Sequence, residues 1–148
     1  MTTYSQKAAF EEGAALSLLR ELGDPPCPMN AFLLARWCKL RVRTHARSFA
    51  VLAGDEVLIS AKASPLRQQE QLAHELGHWT LLYYDVPDSE WGATWVGDAL
   101  MLPRAALLRD LAELAGDLAA VRARHPHCSE RMLARRLQAL EWQGGRAA

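Results

Sequence analysis

Cysteine is scarce in this chain of 148 residues. Cys27, Cys38 and Cys128 are an odd number, lie far apart and form no Cys-x-x-Cys pair. That excludes a disulfide frame as the source of stability and reads as the reduced thiols of an intracellular protein. An excess of either charge is also missing. Lys plus Arg number 17 and Asp plus Glu number 17, so the net charge is zero. That argues against a general polyanion binder and leaves local basic patches open. No run of 18 apolar residues occurs, and Met1-Thr2-Thr3-Tyr4-Ser5 has no basic stretch leading into an apolar one. We therefore expect no membrane span and no signal peptide, and a cytoplasmic location. No internal repeat or low-complexity segment stands out. Half of the residues are hydrophobic, enough for one domain with a true core.

Against this plain background one stretch carries chemistry: His74-Glu75-Leu76-Gly77-His78. Positions four apart share a face of an α-helix, so His74 and His78 can aim their imidazoles at one point and hold one metal ion. Glu75 sits beside that point, where it can take a proton from a metal-bound water. This is the zinc metalloprotease signature, His-Glu-x-x-His. With 5 histidines in the chain, its chance occurrence is on the order of one in a hundred. Ser64-Pro65 supplies a cap followed by a proline at the first helical position. Leu66, Leu72, Ala73, Leu76, Trp79 and Leu82 give the helix, expected over about 65–83, its apolar component. Gly77 weakens a helix slightly, and its expected role is the close approach of another backbone.

The flanking chain sorts into elements. Residues 5–22 and 29–38 read as packing helices, separated by Asp24-Pro25-Pro26-Cys27-Pro28, where three prolines preclude a helix. Leu40-Arg41-Val42-Arg43-Thr44 alternates as a half-buried strand does. Residues 49–53 and 56–60 flank Gly54-Asp55, a hairpin turn. The expectation is a mostly helical, zincin-like α+β domain over residues 1–148, with a small antiparallel sheet at 40–61 beside the metal helix. Its edge either holds extended substrate by strand addition or only covers the core. His45 in this region has no assigned role. After the metal helix, Ser89 caps a helix expected to run to about Leu102, before Pro103, and the C-terminal helices fill 103–142. Trp79, Trp91 and Trp95 read as core, and Trp142 as packing for the last helix, before a frayed tail.

A catalytic zinc needs a third protein ligand. Glu90 leads by position, twelve residues after His78, and Asp85, Asp88 and Asp98 are its rivals. Tyr83, Tyr84, His125 and His127 are candidates to steady an oxyanion. Arg122, Arg124, Arg131, Arg135 and Arg136 raise a second reading. Helices at 118–124 and 129–142 could form a helix–turn–helix that places basic side chains on DNA, against a plainer reading as a solvated basic face.

The motif resembles that of the ImmA/IrrE family of metallopeptidases, whose core is typically Ala-His-Glu-Leu-Gly-His, here Ala73 to His78. Glu90-Trp91-Gly92-Ala93, Leu100-Met101-Leu102-Pro103 and the stretch Ser129 to Leu137 are similar to later motifs of that family. The resemblance spans about residues 10 to 142. It departs at Val96-Gly97, where the family usually has Phe-Ala, at Ala99, often an acid there, and at Ser60-Ala61. It implies zinc held by His74, His78 and Glu90, with Glu75 as general base. It also implies a protein substrate, a transcriptional repressor of helix-turn-helix type encoded by a phage, a mobile element or a stress-response system. A module that displaces such a repressor without cutting it is a further alternative.

Overall fold

A computed structural model describes residues 4–141, with side chains from residue 9 onward. The elements are α1 (Tyr4–Glu21), α2 (Ala31–Trp37), β1 (Arg41–His45), β2 (Val51–Ala53), β3 (Glu56–Ser60), α3 (Pro65–Tyr83), α4 (Glu90–Met101), α5 (Arg104–Glu113), α6 (Leu118–Arg124) and α7 (Glu130–Ala139). The architecture is α+β, as the sequence pattern predicts. The expectations for Trp142 and the tail lie outside the described residues.

The sheet differs from expectation in one respect. It is mixed rather than antiparallel, with strand order β1-β3-β2. β2 and β3 form the hairpin across Gly54-Asp55, but β1 pairs parallel to β3, with Val42 opposite Val57 and Thr44 opposite Ile59. Alternation of apolar and polar residues reports which face is buried and says nothing about strand direction. Two short links make the first and third strands of any such trio run the same way. Here the link at 46–50 carries the chain over the end of β3, so the central place goes to β3. That placement follows composition. Val57 and Ile59 of β3 are completely buried, whereas β1 is half exposed along its length.

α3 is the centre of the packing. The side chain of its cap, Ser64, accepts from the backbone N–H of Arg67 at 3.2 Å, and Pro65 opens the first turn. Leu72, Ala73, Leu76 and Leu81 go into the core, where they meet Leu34, Ile59, Leu100 and Met101. Two glutamines tie α3 to its neighbours. Gln69 Oε1 accepts from Ala31 N–H at 2.8 Å, at the start of α2. Gln71 Oε1 accepts from Ser60 N–H at 2.9 Å, and its Nε2 donates to Ser48 O at 3.1 Å. Gln71 thus fixes both the end of β3 and the 46–50 link against the helix.

The closest packing is between α3 and α4. A Cβ added at Gly77 would stand 2.7 Å from the carbonyl carbon of Ala93 and overlap its oxygen. One at Gly97 would stand 2.8 Å from the carbonyl carbon of Ala73. Gly77 faces Ala93 while Ala73 faces Gly97, the order of an antiparallel pair. The expected role of Gly77 is therefore correct, and Gly97 is its counterpart on the second helix. α7 is clamped to the same core by Arg136, which is only 1% exposed. Its Nη atoms donate to the Glu12 carboxylate at 2.5 and 2.7 Å, and its Nε donates to Leu102 O at 2.9 Å. Among the described residues no helix is long and apolar enough to cross a membrane.

Candidate metal centre

The α3–α4 contact decides what meets the two histidines. Ser89 caps α4 by accepting from Gly92 N–H at 2.9 Å, which places Glu90 in the first turn. Antiparallel packing then brings that turn back over His78 and His74. The imidazoles stand edge to face, 4.7 Å between centroids and 88° between planes. Their Nε2 atoms are 3.1 Å apart. Glu90 Oε2 lies 2.8 Å from His74 Nε2, and Oε1 lies 3.3 Å from His78 Nε2. Among the described residues this trio is the one group of metal-ligating side chains whose donor atoms all lie within 4.8 Å of one another.

The remaining ring nitrogens are also engaged. His78 Nδ1 donates to Asp88 Oδ1 at 2.6 Å, and His74 Nδ1 pairs with Thr94 Oγ1 at 3.0 Å. An ionised carboxylate can only accept, so Asp88 holds the His78 proton on Nδ1 and leaves a lone pair on Nε2. With Thr94 accepting in the same way, two lone pairs and a carboxylate point into one small space. Such a donor set repels itself unless a proton or a metal ion sits in it. The spacing agrees with this. Tetrahedral zinc with bonds near 2.0–2.1 Å separates its ligand atoms by about 3.3 Å, close to the three distances found here. The donor chemistry, borderline nitrogen with one oxygen, suits zinc. The residues present therefore fit a metal ion.

Glu75, the neighbour of His74, is 7% exposed. Burial pushes its carboxyl pKa up, while the two imidazoles pull it partly back, and the net shift is upward. For His78, burial favours the neutral ring, but the hydrogen bond and charge of Asp88, with Glu90 behind, raise the pKa overall. The centre opens on a cleft of about 430 Å³. Its floor is one face of α3, and the 48–50 link, α4 and α7 form the sides.

The structure distributes the other sequence candidates widely. Of Glu90's rivals, Asp88 orients His78, and Asp98 receives a bidentate pair from Arg135 at 2.9 and 2.9 Å. Asp85 lies in the turn after α3 with φ of 55°. The four oxyanion candidates do not line the cleft. Tyr83 donates to Glu21 at 3.1 Å on α1, and Tyr84 packs edge-on against Tyr83 at 4.9 Å. His125 is buried, with Nε2 at 2.7 Å from Asp110. His127 stands in the turn after α6. For Tyr83 the reason is that the last turn of α3 points back to α1.

All five arginines of the basic stretch face carboxylates. Arg122 pairs with Glu130, Arg124 with Asp110 and Glu113, and Arg131 with Glu70. Arg135 pairs with Asp98, and Arg136 with Glu12. Asp88 and Thr94 were not read from sequence as supports of the histidines. The available signal was spacing, since Thr94 stands one turn after Glu90 on the same face of α4.

A helix bearing His-Glu-x-x-His, met by a carboxylate from the following antiparallel helix beside a small sheet, defines a metallopeptidase-type centre. The chain belongs to the peptidase family described as IrrE N-terminal-like domain, whose model matches residues 39–138. That span runs from the start of the sheet to α7 and contains the whole centre. No curated protein matches the chain.

Proposed function

We propose that the protein is a zinc-dependent endopeptidase that inactivates a helix-turn-helix-type transcriptional repressor by limited cleavage in the cytoplasm. The observation that carries the peptidase reading is the convergence of His74 Nε2, His78 Nε2 and the Glu90 carboxylate, with buried Glu75 adjacent. The substrate class comes from the resemblance to ImmA/IrrE proteins.

His74, His78 and Glu90 hold the metal in this reading, and the imidazoles are fixed by Thr94 and Asp88. Zinc in this position supplies a Lewis acid that polarises the scissile carbonyl and lowers the pKa of bound water to about 7. Glu75 takes the proton of the attacking water on a carboxylate oxygen and delivers it to the leaving nitrogen. Its partial burial raises its proton affinity, which suits a base that must also act as an acid within one turnover. The rigid α3–α4 contact keeps Glu75 and the ligands in register without reorganisation during reaction.

The test uses purified, zinc-loaded protein and a helix-turn-helix repressor from the same genome, taken first from any adjacent gene. Wild type is expected to cut the repressor once or a few times, and Glu75→Gln is expected to bind zinc but not cut. Equal cutting by both proteins would remove Glu75 from the mechanism. Repressor released from its operator by Glu75→Gln, with no cleavage, would favour displacement over proteolysis.

A further inference from the structure

The floor of the cleft extends well beyond the metal centre. Arg67, Glu70, Gln71 and His74 follow one another along one face of α3 and all line the cleft. Arg67 precedes His74 by seven residues, about 10.5 Å along the helix axis. An extended peptide advances about 3.3 Å per residue, so this far end lies about three residues from the bond at the metal.

The charges at the far end do not balance. Arg67 Nη1 lies 3.4 Å from Glu70 Oε2, and Arg131 Nη2 lies 2.7 Å from the same oxygen. The Glu70 side chain is 9% exposed, while Arg67 and Arg131 are 52% and 61% exposed. Arg135, the third guanidinium there, is fully matched to Asp98 by its bidentate pair. One carboxylate thus serves two cations, leaving an excess positive charge on two side chains that reach solvent. Each guanidinium has five donors, and one shared oxygen uses few of them. Glu130, next in sequence to Arg131, does not correct the imbalance, because it pairs with Arg122. Arg47, over the Phe49 ring at 5.8 Å on the link that walls the cleft, adds to the same sign.

We infer that Arg67 and Arg131 select substrates carrying an aspartate or glutamate about three residues from the cleaved bond. This rests on the peptidase reading of the same cleft. The incoming carboxylate takes the donors that Glu70 leaves free and completes a square of alternating charge. Phe49, 49% exposed and also lining the cleft, supplies apolar contact for the intervening residues.

The experiment uses a position-randomised peptide library, amidated at the C-terminus so that no chain-end carboxylate competes. Cleavage by zinc-loaded wild type is followed by sequencing of the products. Retention on immobilised, zinc-loaded Glu75→Gln protein is measured in parallel. Acidic residues are expected to be enriched about fivefold at the third position on one side of the cut, the upper end for a half-exposed ion pair. The enrichment should weaken in high salt. It should fall in Arg67→Ala and Arg131→Ala, and turn toward lysine and arginine in Arg131→Glu. That inversion separates recognition from a merely structural role.

Cleavage without acidic enrichment, or enrichment that ignores both arginines, overturns the inference and leaves the peptidase reading intact. Arginine-dependent retention of acidic peptides that wild type never cuts overturns the peptidase reading, and with it the spacing from a cleaved bond, and leaves the two arginines as an acidic-peptide site. A library neither cut nor retained overturns both.

Discussion

The imidazole of His78 donates through Nδ1 to Oδ1 of Asp88 across 2.6 Å, and this bond decides which nitrogen faces Glu90. Asp88 lies in the link between α3 and α4, so the segment that returns the chain also sets the tautomer of a candidate ligand. Removing its charge should therefore act on the metal and not on the fold. Asp88→Asn is expected to weaken zinc affinity about 10- to 100-fold, the usual loss when such a partner is removed. Competition titration against a chelating dye measures it. Unchanged affinity would show that His78 orients itself without help.

Metal should stabilise the folded chain by mass action. At free zinc 100-fold above its dissociation constant, the gain is about 2.7 kcal/mol, or roughly 5–10 °C in melting temperature for a chain of this size. Thermal melts with zinc and with chelator should differ by that margin in the wild type. Glu90→Ala should show a smaller difference at the same zinc concentration. Equal gains in the two proteins would mean that Glu90 is not a ligand.

Gly77→Ala places a methyl group into the Ala93 carbonyl. Backbone cannot rotate aside as a side chain can, so α3 and α4 must separate. The expected cost is about 2–3 kcal/mol, at the upper end for overpacking, read by chemical denaturation. Zinc affinity should fall as well, because separation carries Glu90 away from the histidines. A stable Gly77→Ala protein with full affinity would contradict the account of the helix crossing.

The Glu12–Arg136 pair predicts an acid limit to stability. Burial alone would push the Glu12 carboxyl up, but hydrogen bonds and charge from Arg136, with the Trp95 indole, hold it below its ordinary value of 4.5. The folded pKa is the lower one. The pair's contribution is therefore complete above about pH 4.5 and is lost as pH falls through the depressed value. Denaturant titrations between pH 3 and pH 6 should show this loss in the wild type. Glu12→Gln should be less stable above that window and flatter across it. Glu12→Ala, which leaves the Arg136 guanidinium buried without its acid, should cost about 3 kcal/mol.

Much of the fold was readable where periodicity and punctuation agreed. Ser64-Pro65 fixed the start of α3, and the observed helix, Pro65–Tyr83, matches the expected span. Ser89 marked α4, observed over Glu90–Met101. Gly54-Asp55 marked the hairpin, and Gly77 announced a close contact. What stayed hidden depended on the third dimension. No local pattern says that β1 pairs parallel to β3, because direction follows from how a short link crosses the sheet. Tyr83 and Tyr84 stand near the histidines in sequence, but five or six residues along a helix turn them toward Glu21 on α1. The basic run at 122–136 looked like one surface. Its members answer separate acids on α1, α3, α4, α5 and α7, pairings invisible to composition. His74, His78 and Glu90 could be named from spacing alone, and the structure gathers their donor atoms within 4.8 Å of one another. The supporting roles of Asp88 and Thr94 were not legible, since any nearby acceptor can orient an imidazole.

The bare α-carbons at positions 77 and 97 make sequence variation around this centre unequally free. Where main chain rests on main chain, the dimensions of the cradle owe nothing to rotamers. Aliphatic and aromatic side chains elsewhere on α4 can answer a change by repacking, as these two contacts cannot. Two absent methyl groups, far smaller than any ligand, are what an engineer transplanting this helix pair would have to preserve first.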